Sequence, residues 1–282
     1  MPVTALEHVH VLCAEPHWHT IDFFSDLHLD STQPATLQAL QRYLQHSPAQ
    51  ALFILGDLFE TWIGDDVLSH RPTGFEAQVC ALLAETAQQR ELFCLHGNRD
   101  FLLGPDFAAA SHVRLLPDPT VLVFAQQRWL LTHGDALCVD DLDYQHFRQL
   151  VRAPAWQRSF VAQPLATRQA QAQAMRQRSQ EHQNTQSELV DVDTTTALAW
   201  LHTSAASHLI HGHTHHPGEH TLAPGYQRHV LSDWDMYAQP PRGDVLRLNA
   251  AGLQRVPLPP VSGHDFLHPC LAQVACNLGT LA

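Results

Sequence analysis

The sequence predicts an α/β protein, a layered mixed β-sandwich flanked by helices, with a helical cap inserted into it. Apolar runs typical of buried strands alternate with helical segments from residue 20 to about residue 138. Patterns typical of antiparallel strands follow closer to the C-terminal end. A chain of 282 residues is long enough to bury a large core as one domain with an insertion.

Each element has a local signal. Strands are predicted where apolar runs are short, and the same pattern recurs in the strands predicted near the C-terminal end. The third helix opens at Gly104-Pro105, because proline suits the first turn of a helix. The predicted strands are 21–24, 51–55, 92–95, 121–124 paired as a hairpin with 129–132, 207–210, 228–232, 245–248 and 253–256. The predicted helices are 34–46, 74–90, 104–111 and 194–204.

These elements divide the chain into a main domain over residues 20–256 and a cap over residues 140–190 within it. Residues 1–19 contain two prolines and four histidines without periodicity, so we expect an irregular surface extension there. Residues 257–282 begin with a proline-rich stretch and are expected to form a second terminal extension.

Charge and hydropathy exclude several classes of function. The formal net charge of −12 argues against general affinity for nucleic acid. No apolar stretch approaches the roughly 18 residues of a membrane span. The first residues lack the basic flank and apolar segment of a signal peptide. A cytoplasmic protein is therefore expected.

The predicted cap has an unusual composition. Six arginines and no acidic residue occur between Tyr144 and Gln180, together with several aromatic side chains. Pro154 and Pro164 should divide it into short helices. A basic and aromatic insertion on an acidic body favours a lid or a contact with a membrane surface. Solvated helices packed on the core are the alternative, and the composition leaves both open.

Five short motifs carry the chemistry, and each follows a predicted strand. Because the carboxyl ends of strands in a layered α/β protein lie close together, their side chains should converge. Carboxylate, imidazole and amide ligands without thiolate suit Mn²⁺, Fe²⁺ or Zn²⁺. A shared carboxylate can hold two such ions about 3.5–4 Å apart for phosphoryl transfer. The motifs are Asp26-Leu27-His28, Gly56-Asp57, Gly97-Asn98-Arg99-Asp100, His133-Gly134-Asp135 and His211-Gly212-His213.

The order of these motifs resembles that of the calcineurin-like metallophosphoesterases. The segments FFSDLHLD, FILGDLFETWIGDD, HGNRDFLLG, LLTHGDALCVDD and LIHGHTH resemble more closely the UDP-2,3-diacylglucosamine pyrophosphohydrolases of lipid A biosynthesis. This similarity covers about residues 20–256, and 59–66 and 98–104 are specific to the narrower family. The resemblance implies the four-layer metallophosphoesterase sandwich and two Mn²⁺ ions per chain. It implies one ion on Asp26, His28, Asp57 and His213, and the other on Asp57, Asn98, His133 and His211.

The resemblance also implies a reaction. Water activated by the metals would attack the α-phosphorus of UDP-2,3-diacylglucosamine and give UMP and 2,3-diacylglucosamine 1-phosphate. The protein would work on the cytoplasmic face of the inner membrane, against its anionic surface; the oligomeric state stays open. Catalysis is assigned to Arg99, Asp57 and His211. Substrate contacts are assigned to Asn98, Arg99, Asp141, Ser179, Gln183, Gln186 and His211, of which Gln183 and Gln186 stand where the family has Asn and Lys.

Arg99 narrows the expected chemistry, since the wider superfamily has histidine there. Arginine keeps its proton at neutral pH and cannot act as a general acid. Its planar guanidinium can bind phosphate through two hydrogen bonds. A sugar phosphate with a second pKa near about 6 leaves without needing a proton, so Arg99 favours pyrophosphate cleavage. The alternative is an arginine held by Asp100 for structure.

Two other functions remain compatible with the motifs. One is a nucleotide-sugar pyrophosphatase, or another metallophosphoesterase, that acts on a soluble substrate. The other is a metal-bearing interaction module without activity, although all seven expected ligands are present.

Overall fold

The computed structural model describes residue 6, residues 9–185 and residues 191–258, and for residues 178–185 it describes the backbone alone. The strands are β1 (His10–Cys13), β2 (Thr20–Phe24), β3 (Ala51–Leu55), β4 (Glu91–Leu95), β5 (Arg114–Leu115), β6 (Thr120–Phe124), β7 (Gln127–Leu131), β8 (His208–His211), β9 (Gly218–Ala223), β10 (Tyr226–Val230), β11 (Asp244–Asn249) and β12 (Gly252–Pro257). The helices are α1 (Pro34–His46), α2 (Val67–His70), α3 (Phe75–Thr86), α4 (Pro105–Ser111), α5 (Leu142–Arg152), α6 (Pro154–Val161), α7 (Leu165–Thr185) and α8 (Thr194–Thr203).

The strands form two six-stranded mixed sheets. One sheet has the order β12-β11-β2-β3-β4-β5, and the other has the order β1-β6-β7-β8-β10-β9. Strands β2, β3 and β4 run parallel in the first sheet, and β7 and β8 run parallel in the second. The motif-bearing strands of each sheet therefore end at the same edge.

The core lies in three layers of apolar side chains. Between the sheets, Phe53 stacks on Phe93 with ring centroids 4.6 Å apart, and side chains of the second sheet close the layer. The outer face of the first sheet packs on α1, α3 and α4, and that of the second packs on α8. The order helix, sheet, sheet, helix confirms the predicted four-layer α/β class.

Most predicted elements are present with small shifts at their ends. Helix α1 spans the predicted residues, and α3 is shorter than its pattern. The hairpin turns at Ala125 and Gln126, because β7 begins two residues earlier than predicted. The short elements α2 and β5 and the exposed strand β9 have no counterpart among the predicted elements.

The prediction of an irregular extension over residues 1–19 is wrong for residues 10–18. Strand β1 pairs in parallel with β6, with His10 opposite Thr120. Trp18 is buried between the sheets and packs edge-on against Phe53 and Phe93. A four-residue strand whose partner lies so far along the chain has no local signal. At the other end β12 runs to Pro257, and residues 259–282 lie outside the described part of the chain.

The cap consists of α5, α6 and α7, between β7 and β8 in chain order. Pro154 occupies the first turn of α6, and α7 begins directly after Pro164, as the two prolines predict. Within the described residues, no helix combines the length and apolar character that crossing a bilayer requires.

Candidate metal centre

The motif loops meet at the carboxyl ends of the strands, where glycines let the chains approach closely. A Cβ atom at Gly97 would lie 2.0 Å from Asp57 Oδ1. A Cβ atom at Gly212 would lie 2.2 Å from Asp26 Oδ2. Both carboxylates are thus packed directly against a neighbouring backbone, and a side chain at either glycine would displace them.

One half of the centre is buried and consists of His133, Asn98, His213 and Asp57. His133 donates from Nδ1 to the carbonyl oxygen of Leu55 (2.9 Å), which leaves the lone pair of Nε2 facing the centre. His133 Nε2 lies 2.9 Å from Asn98 Oδ1 and 3.7 Å from Asp57 Oδ2. His213 Nδ1 also lies 2.9 Å from Asn98 Oδ1.

The other half is more open and consists of Asp26, His28, His215 and the same Asp57. His215 Nε2 lies 3.3 Å from both Asp26 Oδ1 and His28 Nε2. His28 Nε2 lies 3.8 Å from Asp57 Oδ2. The side chains of His28 and His215 are 21% and 40% exposed, whereas the two carboxylates are buried. Asp57 therefore lies between the two halves.

His211 is buried at the end of strand β8. Its Nδ1 lies 2.8 Å from the carbonyl oxygen of Gly212, and its buried Nε2 has no hydrogen-bond partner among the described residues. The groups of metal-ligating side chains found among the described residues include His215 and contain neither His211 nor His213. A buried ring nitrogen without a partner is available to a cation, so His211 stays a predicted ligand, and His215 is a further candidate beside it.

An unusual backbone conformation is common among the residues of the two halves. A positive φ is uncommon outside glycine, and it often accompanies functional sites. Nine non-glycine residues of the described chain have a positive φ, and five of them belong to this group. They are Asp26 (54°), His28 (47°), Asp57 (53°), His213 (66°) and His215 (54°). His211, by contrast, ends strand β8.

The spacing of the ligand atoms fits two small divalent cations. Octahedral coordination with bonds of about 2.1 Å places neighbouring ligand atoms about 3 Å apart. The nitrogen and oxygen atoms of each half lie 2.9–4.0 Å from one another. Four imidazoles and two carboxylates within this spacing, with one amide oxygen, suit ions of the Mn²⁺, Fe²⁺ and Zn²⁺ type.

The buried carboxylates and imidazoles shift one another's pKa values. Burial opposes the charged form of Asp26, but His215, His133 and His28 outweigh it and hold the pKa of this carboxyl well below its usual range. Burial alone would lower the pKa of His133, but the Asp57, Asp26 and Asp135 carboxylates raise it to about 9. Burial, with the His133 charge, lowers the pKa of His213 to about 4. The carboxylates therefore require nearby positive charge, as a cation site does.

Arg99 borders the centre in two ways. Its backbone N–H donates to Asp57 Oδ1 (2.8 Å). Its guanidinium lines a cavity, and NH1 lies 3.9 Å from Glu60 Oε1. The Asp100 carboxylate accepts instead from the backbone N–H groups of Gly97 and Leu58, both at 2.8 Å. Asp100 therefore fixes the loop, and Arg99 is not held by it.

The two segments specific to the narrower family are joined by Asp65. Its carboxylate accepts from the backbone N–H groups of Gly104 (3.0 Å) and Asp106 (2.9 Å) at the start of α4. It also accepts from the Trp62 indole (3.0 Å). A carboxylate at a helix N-terminus is stabilised by the free N–H groups and the helix dipole. Asp65 thus fixes the loop after β3 against the loop after β4.

A cavity of about 380 Å³ extends from the buried half of the centre beneath the cap. Its polar end is next to the metal ligands, and its remaining wall is mainly aromatic and aliphatic. The polar end contains Asn98, Arg99, Asp141, Tyr144 and His213, and the apolar wall contains Trp62, Ile63, Phe101, Leu102, Phe147, Trp156, Phe160, Ala172 and Met175.

The predicted substrate contacts in the cap are only partly described. Asp141 reaches the cavity, and its Oδ1 also accepts from the backbone N–H of Tyr144 (3.0 Å) as the N-cap of α5. Ser179 and Gln183 lie on the backbone of α7, and their side chains are outside the described part. Gln186 lies entirely outside the described residues.

Four of the cap arginines contact carboxylates of the body. Arg148 Nε lies 2.8 Å from Asp135 Oδ2, and Arg152 NH2 lies 3.7 Å from the same oxygen. Arg168 NH1 donates to Asp66 Oδ1 (2.9 Å), and Arg176 Nε lies 2.9 Å from Glu60 Oε1. Arg158 is exposed. The cap is therefore seated on the body by its own positive charge.

Comparisons with known proteins agree with this geometry. Residues 19–217 match the family model described as calcineurin-like phosphoesterase. The UDP-2,3-diacylglucosamine hydrolase of Aromatoleum aromaticum is 46% identical over 219 residues, which cover 75% of this chain and 88% of that protein. Proteins of the same name from Bordetella pertussis and Xanthomonas axonopodis pv. citri are 41% and 44% identical, cover 82% of this chain, and are themselves covered to 92% and 95%. This chain belongs to the calcineurin-like phosphoesterase family.

Proposed function

We propose that this protein hydrolyses the pyrophosphate bond of UDP-2,3-diacylglucosamine and releases UMP and 2,3-diacylglucosamine 1-phosphate, a step of lipid A biosynthesis. The observation that carries the proposal is the continuity of the metal centre with an apolar cavity beneath the cap. A phosphate held by the ligands would leave acyl chains in contact with the aromatic and aliphatic wall. The names of the relatives described above support the same substrate.

The proposed ligands divide between two ions, which we take to be Mn²⁺. Asp26, His28, Asp57 and His213 would hold one ion, and Asp57, Asn98, His133 and His211 would hold the other. His215, whose Nε2 lies 3.3 Å from Asp26 Oδ1, is a further candidate. When bound, such a pair lowers the pKa of water and neutralises phosphate charge. Asp57 would position both ions, and the Leu55 carbonyl would keep His133 Nε2 free to bind.

Arg99 is the proposed contact to the departing phosphate. Its guanidinium borders both the cavity and the Asp57 loop, so it can bind a phosphate oxygen without giving up a proton. Asn98, Asp141, Ser179, Gln183 and Gln186 are the other proposed substrate contacts. The buried His211 is not among them, because it does not border the cavity.

The test measures UMP release from UDP-2,3-diacylglucosamine with and without Mn²⁺, beside UDP-N-acetylglucosamine as a substrate without long acyl chains. We expect Mn²⁺-dependent release from the acylated substrate alone. Asp57→Asn should abolish it, because the side chain shared by both ions loses its charge and one of its two oxygens. Asp106→Asn on the exposed face of α4 is the matched control. Equal turnover of both substrates would indicate a soluble nucleotide-sugar pyrophosphatase, and no release under any condition would contradict the proposal.

We also infer that the cap contacts an anionic membrane surface, so that the protein acts as a peripheral protein on the cytoplasmic face of the inner membrane. Among the residues whose side chains are described, four of the six exposed large apolar ones are on the cap, namely Leu142, Phe147, Leu150 and Val161. The exposed Arg158 adds a positive charge beside them. Sedimentation with vesicles containing anionic phospholipid should be reduced in Leu150→Ser and unchanged in Val11→Ser, which alters an exposed apolar side chain of the body.

A further inference from the structure

One carboxylate, that of Glu60, contacts three functional parts of the molecule. Its Oε2 lies 2.9 Å from Nδ1 of His28 in the metal centre. Its Oε1 lies 2.9 Å from Arg176 Nε on cap helix α7, and 3.9 Å from Arg99 NH1. The residue is 8% exposed, so water competes poorly for these contacts.

Glu60 itself is fixed. Its backbone N–H donates to the carbonyl oxygen of Leu29 (3.1 Å), and its Oε2 faces His28. The carboxylate therefore has little freedom to follow a moving partner. The positions of Arg99 and Arg176 therefore decide which guanidinium lies next to Oε1.

Arg176 holds Oε1 at hydrogen-bond distance, and Arg99 does not. At 3.9 Å the Arg99 guanidinium makes no hydrogen bond to Glu60, and its buried Nε has no hydrogen-bond partner among the described residues. A half-buried guanidinium whose buried Nε is a free donor is prepared for an anion. Without Arg176, the same carboxylate would be the nearest anion for Arg99.

We propose that Arg176 keeps Arg99 available for phosphate by occupying Glu60 Oε1, so that seating of the cap strengthens phosphate binding at the metal centre. Arg176 and Glu60 are positioning residues in this scheme. When α7 leaves the body, Arg99 pairs with Glu60 and turns away from the phosphate. The inference rests on the phosphate-binding role proposed for Arg99.

The test uses the Mn²⁺-loaded full-length protein and inorganic phosphate as the probe, with affinity measured by calorimetry. Arg176→Met should weaken phosphate binding about tenfold, the scale of one charge-assisted hydrogen bond. Glu60→Gln removes the charge that would capture Arg99 and keeps an amide oxygen for His28 Nδ1. The double variant should therefore bind phosphate within about threefold of Glu60→Gln alone.

Three results would overturn the coupling. The first is phosphate binding by Arg176→Met that equals that of the unmodified protein. The second is a double variant that keeps the full loss, which would make Arg176 a direct phosphate contact. Arg158→Met removes the same charge from an exposed part of the cap, and an equal loss there would indicate a general charge effect. Calorimetric Mn²⁺ affinity and thermal unfolding, measured on each variant, verify that the metal centre and the fold persist. Because inorganic phosphate is the probe, failure of the proposed nucleotide substrate would leave this result interpretable.

Discussion

The body and the cap use charged side chains in opposite ways. In the body, carboxylates and imidazoles from distant loops face one another at distances that suit the ligands of a cation. In the cap, the arginines Arg148, Arg152, Arg168 and Arg176 face carboxylates of the body. The positive charge that suggested a lipid-binding surface is thus used largely for attachment. The number of arginines in the sequence identifies the cap as a distinct region. Only the structure shows which carboxylate each arginine contacts, and therefore what it does.

The largest expected effect tests which imidazoles belong to the body's metal centre. His211→Ala should lower turnover by more than about 100-fold, the most that loss of an outer partner of a ligand usually costs. It should also lower the number or affinity of bound Mn²⁺ ions in calorimetry. His215→Ala is the matched comparison from the same segment, and it should keep two ions. The opposite outcome would show that His215 holds an ion in place of His211.

The attachment of the cap can be broken at Arg168, which is 1% exposed and also donates to the carbonyl oxygen of Ile63 (2.6 Å). Breaking one partner of a buried ion pair costs about 3–5 kcal/mol, and partial exposure of Asp66 reduces this to about 2 kcal/mol. Arg168→Met should therefore speed amide hydrogen exchange in α7 about 30-fold and leave the sheets protected. Exchange that rises equally in β3 would show that cap and body unfold together. Arg158→Met should change neither region.

A smaller effect tests the apolar cavity between the two regions. Ala172 lines the cavity on α7, and Ala174 is exposed on the same helix. Ala172→Leu should fill space that an acyl chain needs and lower kcat/KM for the acylated substrate about tenfold. Hydrolysis of bis-p-nitrophenyl phosphate should change little. Ala174→Leu adds the same volume to the surface, and a similar loss in that variant would contradict the proposed path of the chain.

The smallest effect is a dependence of cap attachment on pH. The hydrogen bond from Arg168, with a contribution from His70, holds the pKa of Asp66 below its usual range. The pair therefore contributes its full stability above the ordinary carboxyl pKa of about 4, and loses it as the pH falls through the lowered value. Exchange protection of α7, corrected for intrinsic rates, should stay constant between about pH 7 and pH 4 and fall below that range. Asp66→Asn should remove this acid-dependent step.

The body could be predicted well because its signals are local. Apolar runs bounded by glycine and aspartate identified β2, β3 and β4, and the motif after each strand indicated its place at the common edge. Strand β1 was missed because its pairing with β6 is long-range and its pattern is only four residues long.

The ligand pair in the last motif could not be chosen from alternation alone. His211, His213 and His215 are spaced two apart, so all three can point to one side of an extended chain. Strand β8 ends at His211, and the left-handed backbone at His213 and His215 then turns their rings toward Asn98 and Asp26. A repeat of two residues contains no information about where the strand ends.

The cap could be predicted as a basic helical insertion, but its contacts could not. Arg168 pairs with Asp66, and Arg176 pairs with Glu60. Both acidic residues belong to the segment after β3, and several strands and helices separate them from the cap along the chain. Glu60 was part of a motif recognised by resemblance, and its spacing gave no sign of a shared role between cap and metal centre. The free donor of Arg99 and the fixed position of Glu60 become visible only in three dimensions.

The aromatic contact between the cap and the body includes a tryptophan, whose fluorescence can report on the cavity. Trp156 stacks on Phe160 with ring centroids 4.8 Å apart and lies 6.1 Å from the ring of Phe101 in the body. Of the six tryptophans in the chain, Trp62 and Trp156 line the cavity. An acyl chain carrying bromine would quench the fluorescence of these two indoles at contact, so occupancy of the cavity can be followed in real time without an added dye.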